Sequence, residues 1–125
     1  MLRDVATEAA PLVTGLEVVY LYVKDMQRAS AFYRDVLGIP LEGDEAWCEA
    51  RLGETRFALH HWHEGAPEPS SGGIAVDFRV DDADAAAERL RAQGVEVTEQ
   101  MREEYGISYE LVDPDGYRVY LFSQR

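Results

Sequence analysis

Val18-Val19-Tyr20-Leu21-Tyr22-Val23-Lys24-Asp25 and Ala75-Val76-Asp77-Phe78-Arg79-Val80-Asp81-Asp82 are two copies of one pattern. In each, the second, fourth and sixth residues are apolar and β-branched, aliphatic or aromatic, which is the period-two signature of a strand with one buried face. Each ends on an acid that can cap a helix, and an amphipathic stretch then runs to a glycine, Gly38 or Gly94. A repeated strand–helix unit constrains the architecture more tightly than any single motif.

Working outward, Ala29, Phe32, Tyr33, Val36 and Leu37 form a helical stripe behind Asp25. The alternation of Ala46–Leu52 and Thr55–Trp62 about Gly53-Glu54 predicts a hairpin. Residues 64–73 are rich in Gly, Pro and Ser and read as a linker. In the second copy Asp81 or Asp82 is the expected cap, and Ala83, Ala86, Ala87 and Leu90 share a helical face. A strand is expected near Val95–Thr98, then an irregular stretch to Gly106. Last comes a hairpin of Ser108–Val112 and Tyr117–Phe122 about Asp113-Pro114-Asp115-Gly116, with Pro and Gly where a type I turn takes them. Each half is β-α-β-β-β. The expected class is α+β, with a single domain over residues 1–125, module one over 15–63 and module two over 74–123. Residues 1–13 read as a polar arm closed by Pro11.

Composition removes several functions. With 24 acidic against 12 basic residues and a formal charge of −12, the chain lacks the basic cluster that nucleic acid requires. No apolar run reaches the ~20 residues of a membrane span and no leader pattern precedes residue 15, so a cytoplasmic protein without a membrane partner is expected. The single cysteine, Cys48, reads as a small buried thiol.

Strand alternation also sorts faces. Val19, Leu21 and Val23, Val76, Phe78 and Val80, Phe57 and Leu59, and Val119 and Leu121 should face the helices. The opposite faces then carry Val18, Tyr20 and Tyr22; Ala75, Asp77 and Arg79; Arg56, Ala58 and His60; and Arg118, Tyr120 and Phe122. A mixture of aromatics, charges and a histidine suits the wall of a polar-aromatic pocket. Mutually paired, half-exposed strand residues are the plainer alternative.

The runs Val23-Lys24-Asp25, Ser30-Ala31-Phe32-Tyr33 and Val36-Leu37-Gly38, their echo in Val80-Asp81-Asp82, Leu90 and Gly94-Val95, and the closing Asp113-Pro114-Asp115-Gly116-Tyr117 resemble the vicinal oxygen chelate superfamily. That group includes glyoxalase I, extradiol dioxygenases, fosfomycin resistance enzymes and bleomycin resistance proteins. The resemblance covers about residues 15–123. It implies two tandem βαβββ modules forming a cupped incomplete barrel with the ligand inside, and a homodimer with ligand crevices at the subunit boundary. Metal-dependent members place one ligand on each of four strands. Those positions here fall on Val18, Ala58, Ala75 and Tyr120, which offer no set of donors to a divalent ion. No metal and no cofactor are therefore expected.

The resulting expectation is a metal-independent binding protein of the bleomycin-resistance-like kind, sequestering a drug or natural product that is cationic or aromatic. Tyr20, Tyr22, Trp47, His60, Trp62, Asp77, Arg79, Tyr105, Tyr109, Arg118 and Tyr120 are the candidate ligand-binding residues. The alternative is an enzyme of this superfamily, a lyase, isomerase or cyclase, with His60, Glu49 or Glu110 as acid–base candidates. Alternation alone leaves open which face Glu49 and Glu110 occupy. His61 and His63 would share a strand face but lack a third metal ligand at suitable spacing.

Overall fold

The computed structural model describes residues 16–70, 72, 74 and 76–125; the expected arm with Pro11, and Ala75, lie outside the described residues. β1 (Val18–Val23) buries Leu21 and Val23 and leaves Tyr20 exposed, as its alternation requires. Asp25 is extended and accepts the Arg28 N–H, capping α1 (Met26–Ser30). The helix then widens into a π-helical segment over Ala31–Val36, where the Leu37 N–H bonds the Phe32 carbonyl at 3.0 Å. The predicted stripe still faces inward: Ala29 and Tyr33 are fully buried, with Phe32, Val36 and Leu37 packed at their margin.

β2 (Glu42–Gly43), β3 (Trp47–Leu52) and β4 (Thr55–His61) complete the first sheet in the order β1-β4-β3-β2, with β1 parallel to β4 and the other pairs antiparallel. Cys48 is buried in β3, as expected. The second module repeats the plan with β5 (Val76–Arg79), α2 (Ala83–Ala92), β6 (Thr98–Glu103), β7 (Gly106–Val112) and β8 (Arg118–Gln124), ordered β5-β8-β7-β6. Of the two possible caps it is Asp82 that accepts the Ala85 N–H.

One strand is not where alternation put it. The strand expected near Val95–Thr98 forms at Thr98–Glu103, inside the stretch read as irregular. β6 is an edge strand with mostly exposed side chains and a register break between Glu99 and Met101, so it has no apolar alternation to display. Val97 is buried before it begins, filling the core beside α2.

α1 packs on β4, and α2 on β7 and β8. Their apolar faces join in one continuous core. Tyr33 lies where the modules meet: its ring centroid is 5.2 Å from Phe57 and 6.4 Å from Phe78, and its hydroxyl donates to Asp113 Oδ2 at 2.6 Å. The helix sides of both sheets thus share one interior, and their other faces open outward. The two sheets remain open and close no barrel. No helix among the described residues is long and apolar enough to cross a membrane.

Candidate functional site

The outer face of the first sheet is built by register. Tyr20 pairs with Ala58, Tyr22 and Trp47 both flank His60, and Glu49 lies opposite Ala58. His60 becomes the hub of five rings, with centroids 5.0 Å from Tyr22, 5.5 Å from Trp47, 5.7 Å from Tyr20 and 5.8 Å from His63. Ala58 brings only a methyl group into this space, and the surrounding groups cover it completely. Tyr20 nevertheless keeps 42% of its surface exposed, so the patch is a surface and not a second core. The neighbouring Tyr20 hydroxyl, with some desolvation, pushes the Tyr22 phenol above its ordinary range.

The polar groups around the rings are held in place. Trp47 Nε1 donates to Glu49 Oε1 at 2.7 Å, Arg56 Nη1 donates to the same oxygen at 2.8 Å, and Arg56 Nη2 donates to Glu17 Oε2 at 2.9 Å. Glu49 therefore faces outward with the rings. His60 Nδ1 lies 3.0 Å from the His61 carbonyl, and His63 Nδ1 lies 3.1 Å from that of Glu64.

The second sheet presents a different outer face. Tyr120 stands between Asp77 and Glu110 in the register, and Arg118 Nε lies 3.5 Å from Glu110 Oε2. Arg79 extends the row beyond Asp77 and is exposed. Burial pushes the Asp77 carboxyl above the usual carboxylate range. Phe122 lies over Gly106, where a Cβ would collide with its ring.

Three predicted ligand residues sit elsewhere. Tyr109 is buried on the helix side of β7, where its hydroxyl donates to Asp84 at 2.6 Å and Arg91 stacks on its ring. Trp62 lies past the end of β4, and its indole N–H reaches the Ala66 and Pro67 carbonyls, tying down the linker while Lys24 sits over the ring. Tyr105 is exposed at the β6–β7 turn, with its hydroxyl on the Met101 sulfur. Conversely, His63 does not share a strand face with His61 as alternation predicts: the strand ends at His61, and His63 joins the ring patch beside Tyr22 and His60 from beyond it.

At the positions where the resemblance puts metal ligands, the side chains of Val18 and Ala58 carry no donor atom, and Ala75 lies outside the described residues. Val18 is paired directly with Arg56, whose guanidinium already supplies a cation between Glu17 and Glu49. Among the described residues no three His, Cys, Asp or Glu side chains gather as a metal site would need.

A crevice of about 910 Å³ runs between the modules on the helix side. Val19, Phe57, Val76, Phe78, Val80 and Leu121 are among its walls, and Arg56, Asp77 and Arg79 also line it.

Residues 15–121 match the family description Glyoxalase/Bleomycin resistance protein/Dioxygenase superfamily. Among solved structures, the chain is similar to TnmS3, an antibiotic binding protein from Streptomyces sp. CB03234, at 25% identity and a TM-score of 0.76 over 92% of this chain and 99% of that one. It is also similar to a glyoxalase/bleomycin resistance protein from the same organism, at 27% identity and a TM-score of 0.69, over 86% and 98% of the two chains. A putative glyoxalase family protein from Bacillus anthracis shares the fold at 19% identity and a TM-score of 0.77, over 94% and 100%. No curated protein sequence matches the chain.

Proposed function

Because the chain belongs to the glyoxalase/bleomycin resistance protein/dioxygenase superfamily, we propose that it is a metal-independent binding protein that holds a planar organic molecule, a drug or natural product, against the outer face of its first sheet. The observation that carries this reading is the five-ring patch around His60, left open to solvent on a sheet whose other face already supplies the core. Sequestration needs affinity alone, so it tolerates Val18, Ala58 and Tyr120 at positions that hold metal ligands in other members. The likeness to an antibiotic binding protein supports the same direction.

In this reading the site is completed by a second copy of the chain. Each copy carries one aromatic face and one charged face, with Asp77, Arg79, Arg118 and Tyr120 on the latter, and a twofold partner would set the charged face of one over the aromatic face of the other. A thermal-shift screen of planar natural products and drugs tests the proposal. Ligands that raise the Tm should lose about 1–3 kcal/mol of binding in Trp47→Ala or Tyr20→Ala, with the unliganded Tm little changed. A dimeric mass by light scattering and the lack of a stoichiometric divalent ion by elemental analysis are expected alongside. A set of ligands insensitive to both substitutions, or one metal ion bound per chain, overturns it.

A further inference from the structure

We propose, on the basis of that binding reading, that the ligand carries hydrogen-bond donors on its edge, phenolic or enolic hydroxyls, and that Nε2 of His60 and of His63 accept them. A carbonyl oxygen has only lone pairs to offer. The contacts of His60 Nδ1 with the His61 carbonyl and of His63 Nδ1 with the Glu64 carbonyl therefore put a proton on each Nδ1. In the neutral ring Nε2 is then a bare acceptor, and the backbone contact fixes both the tautomer and the ring orientation. Neither Nε2 has a partner among the described residues. The two rings are 5.8 Å apart, and Tyr22 lies 5.0 and 5.8 Å from them.

The rest of the face strengthens the bias by elimination. Its natural donors are already used: the Trp47 indole N–H by Glu49, and the Arg56 guanidinium by Glu49 and Glu17. What remains beside the rings is a pair of imidazole acceptors and two phenols that can play either part. A flat molecule with acceptors only would stack there and leave both imidazoles unanswered, whereas hydroxyls at its rim would be matched. The carboxylate beside the rings, Glu49, already has its charge balanced by Arg56, which weakens its pull on a cationic ligand.

Isothermal titration calorimetry of the full chain at slightly alkaline pH, with three flat probes, tests this. The probes are a naphthalenediol with one hydroxyl on each ring, its dimethyl ether, and an aminoacridinium cation. The diol should bind about ten-fold tighter than the ether, as one or two hydrogen bonds allow. His60→Phe keeps a ring in place and should bring the diol down to the affinity of the ether while leaving the ether unchanged. His63→Phe, at an exposed position, should do so in part and guards against a folding defect in the first variant. Equal binding of diol and ether, or an acridinium preference that survives both substitutions, overturns the donor proposal while leaving a stacking site. If none of the three binds, or none responds to Trp47→Ala, the binding reading falls and this inference with it.

Discussion

The two modules meet at two junctions, and one is closed while the other is open. At the closed one the β7–β8 turn, Asp113-Pro114-Asp115-Gly116, reaches across to the first module. Asp113 accepts the Tyr33 hydroxyl, Asp115 accepts the Lys24 N–H at 3.4 Å, and the Tyr117 hydroxyl donates to the Tyr22 carbonyl at 2.9 Å. The corresponding β3–β4 turn is only Gly53-Glu54. It is too short to reach back, and the crevice of about 910 Å³ opens beside it. A repeat in sequence thus yields a repeat in secondary structure but not in energetics. Turn length and three polar side chains decide which junction is fastened.

The largest expected effect breaks the closed junction. Asp113 is 4% exposed and accepts the Tyr33 O–H and the N–H groups of Asp115 and Tyr117. Asp113→Ala strands all three donors and should cost about 3 kcal/mol in urea denaturation. Tyr33→Phe removes one of those bonds and should cost about 2 kcal/mol, since hydrogen bonds to charged groups sit at the upper end of the usual range. The same tyrosine makes a pH prediction. Burial first, then the charge of Asp113, raises the Tyr33 phenol far above its ordinary value near 10. The unfolded chain loses that proton first, so the contribution is complete below the ordinary tyrosine value and fades as pH rises past it. The wild type should therefore lose stability more steeply above that point than Tyr33→Phe does, a contrast alkaline melting curves can read. Parallel curves would mean the phenol titrates freely.

Much of this comparison was legible before the structure. The paired alternation of Val19, Leu21 and Val23 with Val76, Phe78 and Val80 is enough to place two strands, two helices and the sides they share, because period and burial are tied by geometry. The outward placement of Tyr20, Tyr22, His60 and Tyr120 follows from the same count. Alternation stops working where the chain leaves a strand or lies at an edge. Trp62 and His63 are one residue apart, yet one anchors the linker and the other joins the ring patch, and nothing local separates them. Tyr109 illustrates another limit: an aromatic that alternates onto the core side looks like any other stacking residue until Asp84 is found beside it. The Tyr33–Asp113 contact spans 80 positions in the chain, and no local period encodes it.

The smallest effect sharpens the comparison at one pair of equivalent residues. Val23 ends β1 and Val80 follows β5, and the repeat aligns them. Val23 is fully buried beside the fastened junction, whereas Val80 is half-buried and lines the open crevice. Truncation to alanine deletes the same two methyl groups at either site. At Val23 the loss should approach the full burial value, about 2 kcal/mol with its cavity. At Val80 the methyls already face space that solvent can enter, so removal should cost about 1 kcal/mol or less. Equal costs in urea would mean that the crevice is closed in solution, and the first place to look would then be whatever covers Val76, Phe78 and Val80.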